Sequence, residues 1–362
     1  EGGFVGELHF KKSIYPYEIS IRDTETCFKV HGNPENELVY LLRRLIYKTA
    51  YCINCEVCEV DCPTGALSIV PNVKIDNNKC IHCHKCFNTH DRGCVAADCA
   101  RMIIDTEKKL GAKIQGYKTF GLREEWIDEY FIDPAEFWKE NSLGTAQVDA
   151  VKAWLRDAEI TDVKNNITPL GAILKTIYQD NPLLFWEVAY INMSYNSFIV
   201  NWVCANINAG QLYNKKLIKE EIGNQGYTGS LSTVENAASA YIDLVKRSPI
   251  GESLRQGIVQ GKDGFVKEAY DDLSLEAIAY SIYKYAQKSG FTMMRVSDFY
   301  KSEEICGVYK EFRISKDFLI KKLRSLSSAN NRVLIAELNM GLDHITLRDD
   351  LDPLKVLEML AL

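Results

Sequence analysis

The chain has 362 residues, 46% of them hydrophobic and 25% charged, a globular mixture that excludes a disordered or low-complexity polymer. At roughly 100–200 residues per domain this length predicts two or three domains. The formal charge of -6 excludes a global positive field, so any contact with nucleic acid must come from a local patch.

Phe4 to Phe10 and Tyr17 to Val30 alternate apolar or β-branched with polar residues, which predicts a small sheet broken at Tyr15-Pro16. Asn33-Pro34-Glu35 then supplies an N-cap, a proline for the first helical position and an early acid. Leu38, Leu41, Leu42, Leu45 and Ile46 follow at helical spacing, predicting a helix that packs on the sheet and ends near Thr49. Residues 51–105 form a cysteine-rich module, and 106–119 a connector bearing lysines and glycines.

From residue 120 to 362 the pattern is mainly helical, with helices predicted over Thr145 to Leu155, Leu170 to Tyr178, Pro182 to Tyr190, Lys215 to Ile222, Val234 to Val245, Leu275 to Gln287 and Lys316 to Leu326. Lys215 to Ile222, a turn over Gly226 to Ser230, a helix capped by Ser232 and a hairpin at Gly261-Lys262-Asp263-Gly264 follow the order of a winged helix (about 212–270). Lys316 to Leu326, then strands Val333 to Leu338 and His344 to Leu347 around Asn339-Met340-Gly341, suggest a second, degenerate wing within 275–362. No repeat is visible in the sequence. The fold class expected is α+β: a small N-terminal α/β piece (1–50), the cysteine module, and the helical domain with winged-helix-like parts.

The longest apolar runs, such as Ile199-Val200-Asn201-Trp202-Val203, fall far short of the roughly 20 residues that cross a bilayer. With no signal peptide, the chain is expected in the cytoplasm without a membrane partner. Its first residue is Glu1, as in a piece cut from a larger polypeptide.

Nine of the 12 cysteines fall between Cys52 and Cys99, too tightly spaced for the framework of a secreted disulfide protein. They read Cys52-x2-Cys55-x2-Cys58-x3-Cys62-Pro63 and Cys80-x2-Cys83-x2-Cys86 with a delayed Cys94. Thiolates are soft ligands suited to iron in sulfide clusters, two-residue gaps turn three sulfurs toward one cluster, and the fourth cysteine of each run ligates the other cluster. The expected sets are Cys52, Cys55, Cys58 and Cys94 for one [4Fe-4S] cluster and Cys80, Cys83, Cys86 and Cys62 for the second. Cys99 is the alternative to Cys94; the shorter loop favours Cys94. A zinc ribbon using His82, His84 or His90 is the competing reading, weakened because zinc takes pairs of cysteines rather than two triplets with crossing fourth ligands. Cys27, Cys204 and Cys306 read as small core residues, and the five tryptophans as core packing.

On these motifs, with Cys62-Pro63-Thr64-Gly65-Ala66-Leu67 and Ile75-Asp76 between them, residues 51–99 resemble a bacterial two-cluster ferredoxin domain. The second motif departs from that pattern: its last spacing is seven residues, and Val95 stands where proline is usual. Together with Asp91-Arg92-Gly93-Cys94-Val95-Ala96 and the run Tyr117 to Trp126, the first third resembles the downstream half of phosphoadenosine phosphosulfate reductase-family proteins that carry a ferredoxin insert. From about Phe120 onward, Leu143-Gly144-Thr145, Val151-Lys152-Ala153-Trp154-Leu155, Thr168-Pro169-Leu170-Gly171 and Trp186 resemble a family of unknown function that accompanies such reductases in DNA phosphorothioation systems.

The resemblance implies an oxidoreductase or sulfur-transfer setting, with an electron donor and a nucleotide-binding reductase domain as partners. The nucleotide loop of that family, Ser-Gly-Gly-x-Asp-Ser, does not occur here; Thr228-Gly229-Ser230-Leu231-Ser232 lacks its glycine pair and aspartate. The nucleotide-activating domain is therefore expected upstream or on a separate chain. A competing expectation makes the clusters structural or redox-sensing and the helical half a DNA-binding or regulatory module. In that case Lys246 and Arg247 of the presumed recognition helix, with Asn236 and Ser239, and Arg255, Lys262 and Lys267 of the wing are the candidate nucleic-acid contacts, although acids and bases nearly cancel over 205–270.

Overall fold

The computed structural model describes residues 2–11, 13–21, 26–35, 38–39, 41–42, 45–46, 52, 54, 56–70, 73–81, 86, 116–225, 227, 230–290, 292–300, 307–328, 332–338 and 343–362. The chain is mixed α and β with small antiparallel sheets, and divides into two compact units, Glu1–Lys108 and Lys109–Leu362.

In the first unit, β1 (Gly2–Phe10), β2 (Ser13–Ile21) and β3 (Thr26–Val30) form an antiparallel meander. Along β2, Ser13, Tyr15, Tyr17 and Ile19 are half-buried and alternate with exposed Ile14, Pro16 and Glu18, the period of a sheet with one covered face. Gly6 opposes Tyr17, whose ring fills the place a side chain on Gly6 would take, and the ring stacks on Phe28. The expected break at Tyr15-Pro16 does not occur. Pro16 O accepts from His31 N, so the absent Pro16 N–H would have pointed to the same side, past the last paired residue of β3, and the proline forfeits only the reciprocal bond at the strand end. Of the predicted helix, residues 38–39, 41–42 and 45–46 are helical; Leu38 is buried, but Leu45 and Ile46 are exposed.

The second unit opens with α2 (Glu124–Ile132), α3 (Pro134–Glu140) and α4 (Thr145–Asp157), numbered after a short first-unit helix, α1 (Val57–Val60). Next come α5 (Pro169–Asp180), α6 (Pro182–Asn196) and α7 (Phe198–Asn206). Helix α6 is buried from Leu184 through Ser194, Trp186 included, so it forms the axis of the core, which also holds Trp154, Tyr241 and Tyr280. The helix starts are chemically fixed: Thr168, Asn181 and Ser197 accept from the third residue of α5, α6 and α7, with proline first in α5 and α6. Thr168 Oγ1 also donates to Glu159 O at 2.6 Å. Thr168→Ala is therefore expected to lower the unfolding free energy by about 1–2 kcal/mol and Thr168→Ser to retain most of it, read from urea midpoints at constant m-value.

The remainder repeats one arrangement. After α7 come β6 (Leu212–Asn214), α8 (Lys215–Asn224), α9 (Leu231–Arg247), β7 (Ile258–Gln260) and β8 (Gly264–Val266), with strand order β6-β8-β7. Then α10 (Leu275–Ser289), β9 (Met293–Arg295), α11 (Val308–Phe312), α12 (Lys316–Ser328), β10 (Leu334–Glu337) and β11 (His344–Leu347) give the strand order β9-β11-β10, and α13 (Pro353–Ala361) closes the chain. Both runs read helix, strand, helix, helix, strand, strand, with the third strand between the first and second. The sequence shows no repeat because topology is shared where residues are not. Helix α9 begins at Leu231, so Ser230, not Ser232, occupies the cap position; the two serine hydroxyls bond each other, and Ser230 makes no side-chain cap.

Candidate cluster site and basic surfaces

In the first unit, β4 (Leu67–Ser68) pairs with β5 (Lys74–Ile75), and Asp76 N donates to Ala66 O at 2.8 Å, closing the open end of this hairpin. Cys62 and Cys80 stand one turn outward on either arm. Ala66 N donates to Cys62 Sγ at 3.2 Å, and Cys80 N donates to Asp76 O at 2.9 Å. Both cysteines therefore leave the same end of the ladder. Helix α1, which carries Cys58, is tied to the hairpin through Glu59, whose carboxylate accepts from Ile69 N at 2.8 Å.

The amide and hydroxyl of Thr64, with the amides of Ala66 and Leu67, outweigh burial and draw the Cys62 thiol from 9.0 down to about 7. N–H groups aimed at sulfur stabilise thiolate, which is the form that ligates iron. In the first motif Asn54 and Glu56 have φ of 54° and 59°, left-handed values that side chains seldom adopt. Such turns direct successive amides to one side and make the concavities found at phosphate and iron–sulfur sites.

Of the expected ligands, Cys52, Cys58, Cys62, Cys80 and Cys86 are described; Cys55, Cys83, Cys94 and the alternative Cys99 lie outside the described residues, as do His82, His84 and His90. Among the described residues no three His, Cys, Asp or Glu side chains are gathered as a metal site. What fits a cluster is the donor chemistry: cysteines at ferredoxin spacing, amides on the Cys62 sulfur, and a hairpin that sends Cys62 and Cys80 out together. Two further expectations fare differently. Cys204 is buried, donating to Tyr190 Oη at 3.4 Å, whereas Cys27 is exposed on β3 because its side of that short edge strand is uncovered; Cys306 lies outside the described residues.

In the second unit, the expected nucleic-acid contacts Lys246, Arg247, Arg255 and Lys262 are all exposed, and Lys246 Nζ donates to Lys262 O, joining the end of α9 to the hairpin tip. Lys267 is not a surface contact. It is fully buried and donates to Lys310 O at 2.9 Å, because two residues beyond buried Phe265, just past the end of β8, it falls on the same inward side. The bases around α9 are largely matched by acids: Lys215 and Lys219 of α8 both pair with Glu235, Arg123 and Arg247 with Asp243, and Lys216 with Glu220.

Helix α12 differs. Leu319, Leu323 and Leu326 form its buried stripe, while Lys316, Lys321 and Arg324 are exposed within an arc of about 140°. Among the described residues no carboxylate lies within 4.0 Å of any of the three. The sequence signal was available, as three bases against the lone Asp317 on the solvent face, but it emerges only when the apolar stripe is subtracted.

No protein-family model matches the chain, and no curated protein matches it. Among solved structures it is similar to two crystal structures of SspB, one with magnesium ion bound. Identities are 14% and 15% and TM-scores 0.53 and 0.52; each match covers 69% of this chain and 87% of SspB. The first unit spans 108 residues, too few to house such a match, so the likeness runs through the helical second unit. At these identities the likeness is one of fold. No helix among the described residues is long and apolar enough to cross a membrane.

Proposed function

We propose that this chain is the iron–sulfur electron-transfer and accessory portion of a phosphoadenosine phosphosulfate reductase-like sulfur-transfer protein acting in DNA sulfur modification, with the nucleotide-activating domain supplied outside these 362 residues. The observation that carries the cluster reading is the hairpin that sends Cys62 and Cys80 from one end, with the Ala66 amide on the Cys62 sulfur. That is the placement required if Cys62 leaves the first motif to join Cys80, Cys83 and Cys86 on the second cluster, while Cys52, Cys55, Cys58 and Cys94 hold the first.

Bound clusters would supply one-electron transfer between an external donor and the partner reductase domain. This chain's residues hold the sulfurs as thiolates and tune the clusters through amide hydrogen bonds and burial. The DNA link rests on the fold likeness to SspB, a DNA phosphorothioation system protein, and on the duplicated helix–strand order of the second unit, which we read as two winged helices in tandem.

Anaerobic reconstitution with iron and sulfide is expected to give about eight of each per chain, and Cys62→Ala to lose about half of both. Four iron atoms or fewer in the parent protein would overturn the two-cluster assignment, and stoichiometric zinc would replace it with the ribbon reading.

A further inference from the structure

We infer that the second of the two repeated arrangements carries the duplex-DNA surface, with the solvent face of α12 as the element that meets the phosphate backbone. This rests on the DNA half of the function proposed above and is independent of the clusters.

By position, α9 and α12 are equivalent: each is the second of two successive helices followed by a hairpin, the place of the recognition helix in a winged module. Their electrostatics differ. Around α9 the carboxylates of Glu235 and Asp243 each hold two bases, and the Lys246 ammonium is engaged by the Lys262 carbonyl. A phosphate arriving there would have to displace existing partners and meet their acids. On α12 Lys316, Lys321 and Arg324 have no such partner among the described residues, and the one carboxylate on that face, Asp317, lies in the first turn.

The remaining exposed positions of this face are Ser325 and Ser328, small side chains whose hydroxyls donate to Lys321 O and Ser325 O and which allow close approach of a phosphate backbone. Ser315 fixes the start of the helix: its amide and hydroxyl both donate to the Asp271 carboxylate, at 2.7 and 2.8 Å, and its Oγ accepts from Phe318 N. The buried leucine stripe turns Lys316, Lys321 and Arg324 outward, with Asp317 the one acid among them.

A helix of 13 residues is about 20 Å long and enters the B-DNA major groove, about 12 Å wide. The deep, narrow major groove of A-form RNA does not admit it. Charge and shape together select duplex DNA, held through its backbone and without base preference.

The test uses the full chain and a fluorescent 24-base-pair duplex, titrated by anisotropy from 50 to 200 mM salt. Lys316→Gln/Lys321→Gln/Arg324→Gln is expected to weaken binding at least about tenfold and to flatten the log–log salt slope by about 2–3 units, near 0.9 per lost phosphate contact. Lys316→Arg/Lys321→Arg/Arg324→Lys should bind as the parent does. Lys246→Gln/Arg255→Gln/Lys262→Gln should stay within about twofold.

The inference is overturned if the α12 triple keeps the parental slope, or if the α9-side triple loses as much. Tighter binding of duplex or single-stranded RNA than of DNA would also overturn it. No binding by the parent chain at 50 mM salt would defeat the DNA reading itself, whereas iron and sulfide counts report on the cluster reading alone.

Discussion

Raising the pH from 5 to 8 is expected to lower the unfolding free energy of the helical unit by several kcal/mol, with Glu311 a principal source. Glu311 is fully buried on α11, where its carboxyl oxygens accept from Ser194 on α6 at 3.0 Å and from Ser281 on α10 at 2.6 Å. Burial raises its pKa from 4.5 to about 7, against the two hydroxyls and the ammonium groups of Lys267 and Lys284, which lower it. Asp157 and Glu187 are likewise raised to about 7, chiefly by burial, opposed by Tyr117 and Ser274 respectively.

A carboxyl whose folded pKa lies above its unfolded one contributes stability that is fully present below about 4.5 and is lost as the pH climbs through about 7. For Glu311 alone the difference amounts to about 3 kcal/mol. Glu159 acts in the opposite sense. Burial pushes its carboxyl up, but the attraction and hydrogen bond of Lys284, with a hydrogen bond from Asn196, hold it below its ordinary value, so its contribution fades as the pH falls through the acid range. The stability maximum is thus expected near pH 5. Glu311→Gln keeps the shape and removes the charge. It should be about 2–3 kcal/mol more stable than the parent at pH 8 and no more stable at pH 5, by urea unfolding at each pH. Parallel profiles for the two proteins would show that Glu311 does not titrate in this window.

Glu311 also marks the boundary of what the sequence makes legible. Amphipathic helices such as Thr145–Asp157 and Lys316–Ser328 announce themselves because one face must be apolar and the other wet. The interior helix Phe198–Asn206 does not: its apolar residues run all round, and with no polar face there is no period to read. The same holds for the buried polar contacts. A glutamate at position 311 reads as a surface acid until Ser194 and Ser281, over 100 and 30 residues away in sequence, are brought against it. Lys267 reads as a wing residue for the same reason, since a lysine just past a short strand gives no sign that it shares the inward side of Phe265. At the candidate cluster site the expected ligands and their crossing pattern come from cysteine spacing alone. The amides that condition Cys62 are not, because backbone donors carry no sequence signature. The duplicated helix–strand order is half visible: turn chemistry at Gly261 to Gly264 marks the first hairpin, whereas the equivalence of α9 and α12 lies in strand order.

The largest loss from one surface-distant substitution is expected at Arg313, between α11 and α12. The residue is 7% exposed; its Nη2 donates to Ile207 O at 2.7 Å and to Cys204 O at 3.0 Å, and Nε to Ile207 O at 3.2 Å. Those carbonyls close α7, where the last turn has no partners within the helix and carries its negative end. A planar fork reaches both oxygens at once, which an ammonium cannot. Arg313→Ala would leave two buried carbonyls unpaired at about 1–3 kcal/mol each, a total of about 3–5 kcal/mol with the lost packing over Tyr309.

The backbone adds a discriminating detail. Arg313 has φ 53°, a left-handed conformation that costs any side chain about 1–2 kcal/mol and costs glycine nothing. The expected order of stability is therefore parent, then Arg313→Lys, then Arg313→Gly, then Arg313→Ala. A surface role would erase that order and leave alanine within about 0.5 kcal/mol of the parent. Because α12 begins three residues later, the same substitutions loosen the anchor from which its basic face is presented. Arg313→Ala should therefore lose DNA affinity along with stability, whereas the glutamine triple on α12 should lose affinity and leave the urea midpoint unmoved.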